Sequence, residues 1–294
     1  MGRFAGQDEL FKAAASNGVD FLSTHIQLPT EMSAASASPP HAPSSLSDNT
    51  LDKEDLNALE DEDGRSLLHV ACAAGHLQAA DFLLRAGADF LKADEGHWTP
   101  LLSAASAGHL GVVKALVQAA EKASHEDGLS TSQGADQQAG REVVKELLEA
   151  RTPSGGTALT TAAAKGHTAV VEALLDAGAN IEATDNYGRT ALSKAVVASK
   201  EATVEVLMRR GASLRVQEKF TGDNLLHLAV NSEHADLCLL LMQNDPDLRF
   251  QQNREGVTPF EAGRGPFLKH LANLFEAEKG ENAEDATAAG SKED

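Results

Sequence analysis

The sequence has few cysteines and few aromatic residues, and both shortages restrict what the chain can be. Its 294 residues include two cysteines, one tryptophan, one tyrosine and ten phenylalanines. A disulfide framework is therefore excluded, and the core must be built from leucine, valine and alanine. Cys72 and Cys238 belong to no Cys-x-x-Cys pair. We predict two free thiols in a reducing compartment, the cytoplasm or the nucleus.

The sequence also lacks the signals of membrane proteins and of common enzymes. No apolar run approaches the ~18 residues of a membrane-spanning helix, and no secretory signal is visible. None of the metalloprotease, phosphate-loop or serine-hydrolase motifs occurs, and the eleven histidines show no metal-binding spacing. We therefore predict no membrane association, no metal, no cofactor and no catalytic site, so the chain is not expected to be an enzyme.

Basic residues are scarce compared with acidic ones. The chain has 25 lysines and arginines against 44 aspartates and glutamates, a formal net charge of −19. More than half of the excess lies in the flanks, with −6 in residues 1–60 and −4 in residues 280–294. Binding to nucleic acid needs a basic patch, so no nucleic-acid partner is predicted. An acidic surface attracts basic proteins, although the charge could equally serve solubility alone.

What the sequence does contain is a repeat with a period of about 33 residues, a length typical of stacked repeat proteins. Six segments share one pattern, and the position that begins each pattern is a threonine or a substitute for it. The spacing is nearly constant except for the second interval, which is almost twice as long as the others. A fixed period of this length indicates small units that bury their apolar faces only by stacking on one another. The six positions are Ser66, Thr99, Thr157, Thr190, Asn224 and Thr258.

The residues within each period resemble the ankyrin repeat, whose pattern is T-P-L-H-x-A-A-x-x-G-H followed by L-L-x-x-G-A. This pattern is matched closely by residues 99–101, 75–76 and 83–88. The chain is identified as a member of this family over about residues 52–275. The resemblance implies an all-α repeat fold, an ankyrin-repeat solenoid of about seven units, each made of a short β-turn and an antiparallel helix pair.

Composition and repeat boundaries predict six segments along the chain. The long interval between Thr99 and Thr157 leaves two interpretations of residues 124–150: a loop over 124–140 plus an extra helix, which we prefer, or a decayed repeat that begins at 127–128. The predicted segments are a capping repeat at 1–28, a disordered Pro/Ser-rich loop at 29–50, ankyrin repeats at 51–123, the insertion at 124–150, ankyrin repeats with a C-terminal cap at 151–279 and an acidic disordered tail at 280–294.

The family resemblance also implies where a protein partner would bind. Ankyrin proteins contact partners on a concave side, built from the tips of the turns and the exposed positions of the first helices. The single tryptophan and the single tyrosine lie at such tips, where they would anchor a partner or else pack on the next turn. The implied tip residues are Asp63, Arg65, Glu95, His97, Trp98, Tyr187, Arg189, Asp223, Arg254 and Glu255. The implied helix residues are Val70, Ser103, Ser106, Thr161, Lys165, Lys194, Leu228 and Asn231.

The order of the repeats further resembles the gankyrin group of ankyrin proteins, with the likeness carried by residues 98–108, 223–229 and 253–260. This resemblance implies a monomeric chaperone for assembly of the proteasome regulatory-particle base. Its partner would be the C-terminal domain of one proteasomal ATPase subunit, with Asp63, Glu95 and Asp223 facing basic groups. A general ankyrin adaptor or scaffold, or a transcription-factor inhibitor, remains the alternative because it would use the same surface.

Overall fold

The computed structural model describes residues 7–26, 28, 51–126 and 135–274. The predicted loop at 29–50 and the predicted acidic tail at 280–294 lie outside the described residues. Contacts divide the chain into two units. Unit 1 comprises the described residues up to 162 together with 169–180, and unit 2 comprises 163–168 together with the described residues from 181 onward.

Unit 1 is built from helix pairs joined by tight turns. We call the first helix of a pair the inner helix and the second the outer helix. The inner helices α1, α4 and α6 pack on one another in succession, and so do the outer helices α2, α5 and α7. The helices are α1 (Gln7–Ala15), α2 (Val19–His25), α3 (Lys53–Ala58), α4 (Leu67–Ala74), α5 (Leu77–Arg85), α6 (Pro100–Ala107), α7 (Leu110–Glu126), α8 (Ala135–Glu149), α9 (Ala158–Lys165) and α10 (Thr168–Asp176). The last residues of α9 and the first of α10 belong to unit 2.

Unit 2 continues the same pattern. Its inner helices α11, α13 and α15 pack in succession, and α11 and α13 pack on their outer helices α12 and α14. The elements are α11 (Ala191–Val197), α12 (Glu201–Arg209), α13 (Leu225–Asn231), α14 (Ala235–Asn244), the 3-10 helix η1 (Pro246–Phe250), α15 (Pro259–Ala262) and α16 over residues 265–274.

The helix pairs confirm the predicted all-α ankyrin-repeat fold. The described ranges contain seven pairs, and β-structure within them is limited to two isolated bridges, Ile26 with Leu51 and Gln217 with Asn224. No helix of the described chain combines the length and the apolar character that a membrane crossing requires.

Polar side chains begin the inner helices, as the repeat pattern predicts. The side chains of Ser66, Thr99, Thr190 and Asn224 each accept a hydrogen bond from the backbone N–H three residues later. Each cap satisfies a donor that the first turn of a helix leaves unpaired. Pro100 follows one of these caps, where the missing N–H of proline has no consequence.

Small and aliphatic residues fill the core between the helices. Ala71, Ala104 and Ala105 on inner helices are completely buried, as are Leu101 and Leu102. Alanine lets neighbouring inner helices approach closely, while leucine fills the space towards the outer helices. The core is thus mostly leucine, valine and alanine, as the shortage of aromatic residues predicts.

The segment before Arg151 differs from the predicted loop over 124–140. Helix α7 continues to Glu126, and α8 begins at Ala135, earlier than the extra helix predicted from the apolar pattern. Residues 127–134 lie outside the described residues. Alanine, glutamine and arginine favour a helix, which accounts for the early start of α8. The C-terminal end of α8 contacts the turn after α10, where Glu149 Oε1 accepts the backbone N–H of Asn180 at 3.2 Å.

The turns after the inner helices α4, α6, α11 and α13 each contain one residue in the left-handed backbone conformation. Glycine provides it at Gly75 and Gly108, but Ser199 and Glu233 adopt it with φ of 54° and 55°. A side chain in this region costs about 1–2 kcal/mol, whereas glycine adopts it freely. These two positions therefore hold local strain.

Replacing Ser199 or Glu233 by glycine is expected to raise the free energy of unfolding by about 1 kcal/mol each, because the strain is removed. Urea unfolding followed by circular dichroism measures the change. Ala198→Gly is the matched control, since Ala198 has a φ of −86° and should lose stability as glycine. A loss of stability in Ser199→Gly as large as that in Ala198→Gly would contradict the strain.

Candidate protein-binding site

Two adjacent turns of unit 1 present acidic side chains. The backbone N–H of Glu95 donates to the carbonyl of Asp63 at 3.2 Å, which links the turns. Arg65 is held by two carboxylates, with Nε 2.9 Å from Asp61 and Nη2 3.1 Å from Asp63. The structure brings together five residues predicted to bind a partner: Asp63, Arg65, Glu95, His97 and Trp98.

Trp98 is fixed at its backbone by two neighbours. Its N–H donates to Asp94 Oδ1 at 2.8 Å, and its carbonyl accepts from His69 Nε2 at 2.9 Å. The other ring nitrogen of His69 accepts the N–H of Ser66 at 3.1 Å. His69 therefore joins one inner helix to the next turn, which requires the neutral ring with its proton on Nε2. Trp98 is half-buried, so part of its side chain remains available.

Burial lowers the pKa of His69 below its usual value of 6.5. Because the native state disfavours the proton, the unfolded chain takes it up first when the pH falls. The stabilising effect of a neutral His69 is thus complete above pH 6.5 and declines as the pH falls from there towards the lowered pKa.

We expect His69→Gln to remove part of the acid sensitivity of the folded chain. Urea unfolding at pH 7.5, 6.5 and 5.5 compares the natural chain with the variant, and the natural chain should lose more stability over this range. His270→Gln, at an exposed histidine of α16, is the control and should keep the natural pH dependence. Identical pH dependence in His69→Gln and the natural chain would contradict the prediction.

The turns of unit 2 present an exposed aromatic pair. Tyr187 is 50% exposed and Phe220 63% exposed. Their ring centroids lie 6.0 Å apart with the planes inclined by 68°, an edge-to-face contact. Rings exposed to this extent at a turn tip provide apolar contact area at little entropic cost.

Cationic side chains flank both rings. The Arg189 guanidinium lies 5.5 Å from the Tyr187 ring centroid, and Lys219 Nζ lies 5.8 Å from that of Phe220. Arg189 Nε also pairs with the carboxylate of Glu218, whose side chain is 8% exposed. We call Tyr187, Arg189, Lys219 and Phe220 the aromatic–cationic surface.

A buried carboxylate holds this surface in place. Asp185 Oδ1 accepts the backbone N–H groups of Tyr187 and Arg189, each at 2.9 Å. Its Oδ2 lies 2.9 Å from Lys194 Nζ, and the Asp185 side chain is 1% exposed. Lys194, predicted to contact a partner, is thus engaged within the chain and supports the turn.

Phe220 is a residue that the sequence analysis missed. The backbone N–H of Asp185 donates to the carbonyl of Arg189, whereas the N–H of Glu218 donates to that of Asp223, one residue further on. The turn of Phe220 therefore contains an extra residue. The interval from Thr190 to Asn224 is correspondingly longer than that from Thr157 to Thr190, and this difference is the signal that could have found Phe220.

The remaining predicted residues are mostly accessible, with one correction. Asp223 is half-buried and its Oδ1 accepts a hydrogen bond from Asn253 at 2.8 Å. Leu228 is only 7% exposed, because α13 is packed against α11, α14 and α15, so its prediction as a contact residue is wrong. The half-buried or exposed residues are Val70, Ser103, Ser106, Thr161, Lys165, Asn231, Arg254 and Glu255.

Among the described residues, one group of possible metal ligands lies close together. Atoms of Glu201, His234 and Asp236 lie within 4.8 Å of one another, and His234 Nε2 lies 3.3 Å from Glu201. Both carboxylates are in the first turns of their helices, α12 and α14. Carboxylates are stabilised at helix N-termini, and this position accounts for the group without an ion.

Comparison with solved structures supports the fold. The crystal structure of the human ASB11 ankyrin repeat domain matches with a TM-score of 0.61, over 89% of this chain and 96% of that domain, at 20% sequence identity. Among curated proteins, human ankyrin repeat domain-containing protein 63 is 34% identical over 116 residues, which are 40% of this chain and 25% of the relative.

A second kind of relative is the 26S proteasome non-ATPase regulatory subunit 10. The protein from Dictyostelium discoideum is 44% identical over 64 residues, 20% of this chain and 26% of its own length. The rat protein is 36% identical over 55 residues, 19% of this chain and 24% of its own length. The matched stretches thus span about a quarter of these relatives.

The family profile described as "Ankyrin repeats (3 copies)" matches residues 10–127 and 134–218, well over half of the chain. The profile covers the inner helices capped by Ser66, Thr99 and Thr190 and the turns that carry Trp98 and Tyr187. The chain belongs to the ankyrin-repeat family.

Proposed function

We propose that this chain is a chaperone for assembly of the proteasome regulatory-particle base, and that it binds the C-terminal domain of one ATPase subunit. Ankyrin repeats are protein-interaction modules, so the chain is expected to act by binding a protein. The observation that carries the proposal is the exposed pair of Tyr187 and Phe220, held on rigid turns. Exposed aromatic side chains on a fixed scaffold are typical anchors of protein interfaces.

The choice of a proteasomal partner is supported by local sequence similarity to 26S proteasome non-ATPase regulatory subunit 10. The acidic turns of unit 1 suit the same proposal, because Asp63 and Glu95 are exposed and would attract basic groups of a partner. We propose that Asp63, Glu95 and Trp98 form one contact region.

A general adaptor or scaffold is the second candidate. It is favoured by the longer match, 116 residues, to ankyrin repeat domain-containing protein 63. Such a protein, or an inhibitor of a transcription factor, would use the same turns for an unrelated partner. The two candidates differ only in the identity of the protein that binds.

Compartment and oligomeric state form part of the proposal, with the chain acting as a monomer in the cytoplasm or the nucleus. Cys72 and Cys238 are free and buried. Burial raises the pKa of Cys238 to about 12 and raises that of Cys72 as well, so neither thiol is reactive in the folded chain. Two buried free thiols suit a reducing compartment.

Co-elution in size-exclusion chromatography tests the function. The purified chain is mixed with the isolated C-terminal domain of each proteasomal ATPase subunit in turn. Co-elution with one domain and not with the others is the expected result. Failure of every domain to co-elute with the folded chain would favour the adaptor.

The double variant Glu95→Lys with Trp98→Ala should weaken that binding about ten-fold or more while the chain keeps its helical circular dichroism. Glu205→Lys, on the exposed side of the outer helix α12, is the control and should bind like the natural chain. Loss of helical signal in the double variant would show that these residues are structural and would remove them from the contact region.

A further inference from the structure

The exposed charges on the turns of unit 2 are mainly positive. Lys219 and Arg254 are exposed on these turns, and Arg189 is half-buried and pairs with Glu218. The carboxylates of Asp185 and Glu218 are buried and engaged in ion pairs. Two further acids are present: Asp223, which is half-buried and accepts from Asn253, and the exposed Glu255 beside Arg254. Lysine and arginine therefore dominate the accessible charge around the aromatic–cationic surface.

Lys219 has its charge available for a ligand. Its backbone N–H donates to the carbonyl of Tyr187 at 2.9 Å, which fixes the residue on the turn. Its ammonium group lies over the ring of Phe220, and it forms no ion pair with any other described residue. Arg254 is fixed in the same way, through its N–H to the carbonyl of Thr221 at 2.9 Å.

Apolar side chains complete the surface. Tyr187 and Phe220 supply its apolar area, since both rings are exposed and contact each other edge to face. An apolar residue of a ligand can cover the rings while carboxylates on either side of it reach Lys219 and Arg189. Ion pairs formed beside buried aromatic rings are less screened by water than isolated ones.

We propose, resting on the proposed function, that the aromatic–cationic surface binds a partner segment in which carboxylates flank an aromatic or aliphatic side chain. This sign of charge is the reverse of that on the turns of unit 1, where Asp63 and Glu95 are exposed. It also differs from the sequence prediction, which assigned Asp223 of unit 2 to a basic partner. Each unit thus selects a different part of a partner by charge.

Binding of a labelled peptide to the full chain tests the proposal. The probe is the peptide EEEFLEEE with an N-terminal fluorescein, and the comparison peptide is KKKFLKKK with the same label. Fluorescence anisotropy at physiological salt gives both affinities. The acidic peptide is expected to bind about ten-fold more tightly or better, and its affinity should fall as salt rises. No binding of the acidic peptide, or equal affinities, would overturn the proposal.

Variants locate the binding. We expect Lys219→Glu and Phe220→Ala each to lower the affinity for the acidic peptide about ten-fold. The first variant reverses the charge, and the second removes the aromatic ring. Lys269→Glu, at an exposed lysine of α16, makes the same change of charge elsewhere and should have no effect. A loss in Lys269→Glu equal to that in Lys219→Glu would overturn the assignment to this surface.

The chain's own acidic C-terminal segment is a competing occupant. Replacement of Glu281, Glu284 and Asp285 by their amides in the full chain should leave the peptide affinity unchanged. A gain of about ten-fold would mean that this segment occupies the surface in place of a partner. Analytical ultracentrifugation tests for a second copy as the occupant. If the natural chain is a dimer and Lys219→Glu is a monomer, a second copy occupies the surface, and the proposal is overturned.

Failure of this proposal can be told apart from failure of the proposed function. If an ATPase domain co-elutes and Lys219→Glu binds it as well as the natural chain does, the function stands and the acidic-segment proposal fails. If the acidic peptide binds as expected but no ATPase domain co-elutes, the proposal for the aromatic–cationic surface is supported and the proposal of a proteasomal partner is contradicted.

Discussion

Replacing Asn224 by alanine is expected to lower the free energy of unfolding by about 3 kcal/mol, through loss of a helix cap and exposure of buried unpaired groups. Asn224 is completely buried. Its side-chain oxygen accepts the N–H of His227 at 3.0 Å, and its nitrogen donates to the carbonyl of Leu248 at 2.8 Å. Alanine makes neither bond, and the Leu248 carbonyl has no access to water in its place.

Urea unfolding of Asn224→Ala measures this loss. Gln252→Ala, at an exposed residue shortly after η1, is the control and should change stability by less than about 0.5 kcal/mol. Ser66→Ala removes a cap without a bond to a distant carbonyl and should lose only about 1 kcal/mol. Equal losses in Asn224→Ala and Ser66→Ala would contradict the role given to the Leu248 contact.

Replacing Asp185 by alanine is expected to lower stability by a similar amount, about 3 kcal/mol, because it leaves the charge of Lys194 unpaired and two backbone N–H groups without an acceptor. The same change frees the turn that carries Tyr187, since both lost N–H bonds belong to that turn. We therefore expect affinity for a partner to fall together with stability.

Asp185→Asn separates the two effects. Its amide oxygen can still accept the N–H groups of Tyr187 and Arg189, but the charge that holds Lys194 is absent. The asparagine variant should lose about 1–2 kcal/mol of stability and keep most of its affinity for the partner, as measured by urea unfolding and isothermal titration calorimetry. An asparagine variant that binds as poorly as the alanine variant would show that charge, and not turn geometry, positions the aromatic–cationic surface.

The fold could be predicted because the repeat determines its structure locally. A cap such as Ser66 or Thr99 fixes the start of each inner helix, and Gly75 or Gly108 fixes its end. These local rules do not govern an insertion, where helix propensity and packing on α7 decide the length of α8. The left-handed conformation of Ser199 and Glu233 could not be predicted from local preference either, because the stacked structure imposes a conformation that their side chains disfavour.

The candidate site was predicted only in part. Trp98 and Tyr187 could be assigned to turn tips because they occur once each and stand next to the repeat pattern. Phe220 was missed because one extra turn residue places it beside Tyr187, and the longer interval before Asn224 was not interpreted as a longer turn. Burial of Leu228 depends on packing against neighbouring helices, and the ion pair of Lys194 depends on how the turn of Asp185 folds back on α11; sequence position alone specifies neither.

Hydrogen exchange of the chain, alone and with each proteasomal ATPase C-terminal domain in turn, tests most directly that the turns bind such a partner. We predict that one domain slows exchange in residues 94–98 and 185–189 and leaves the exposed sides of α5, α12 and α14 unchanged. Slower exchange confined to those outer helices, or no change with any of the domains, would contradict the proposed function.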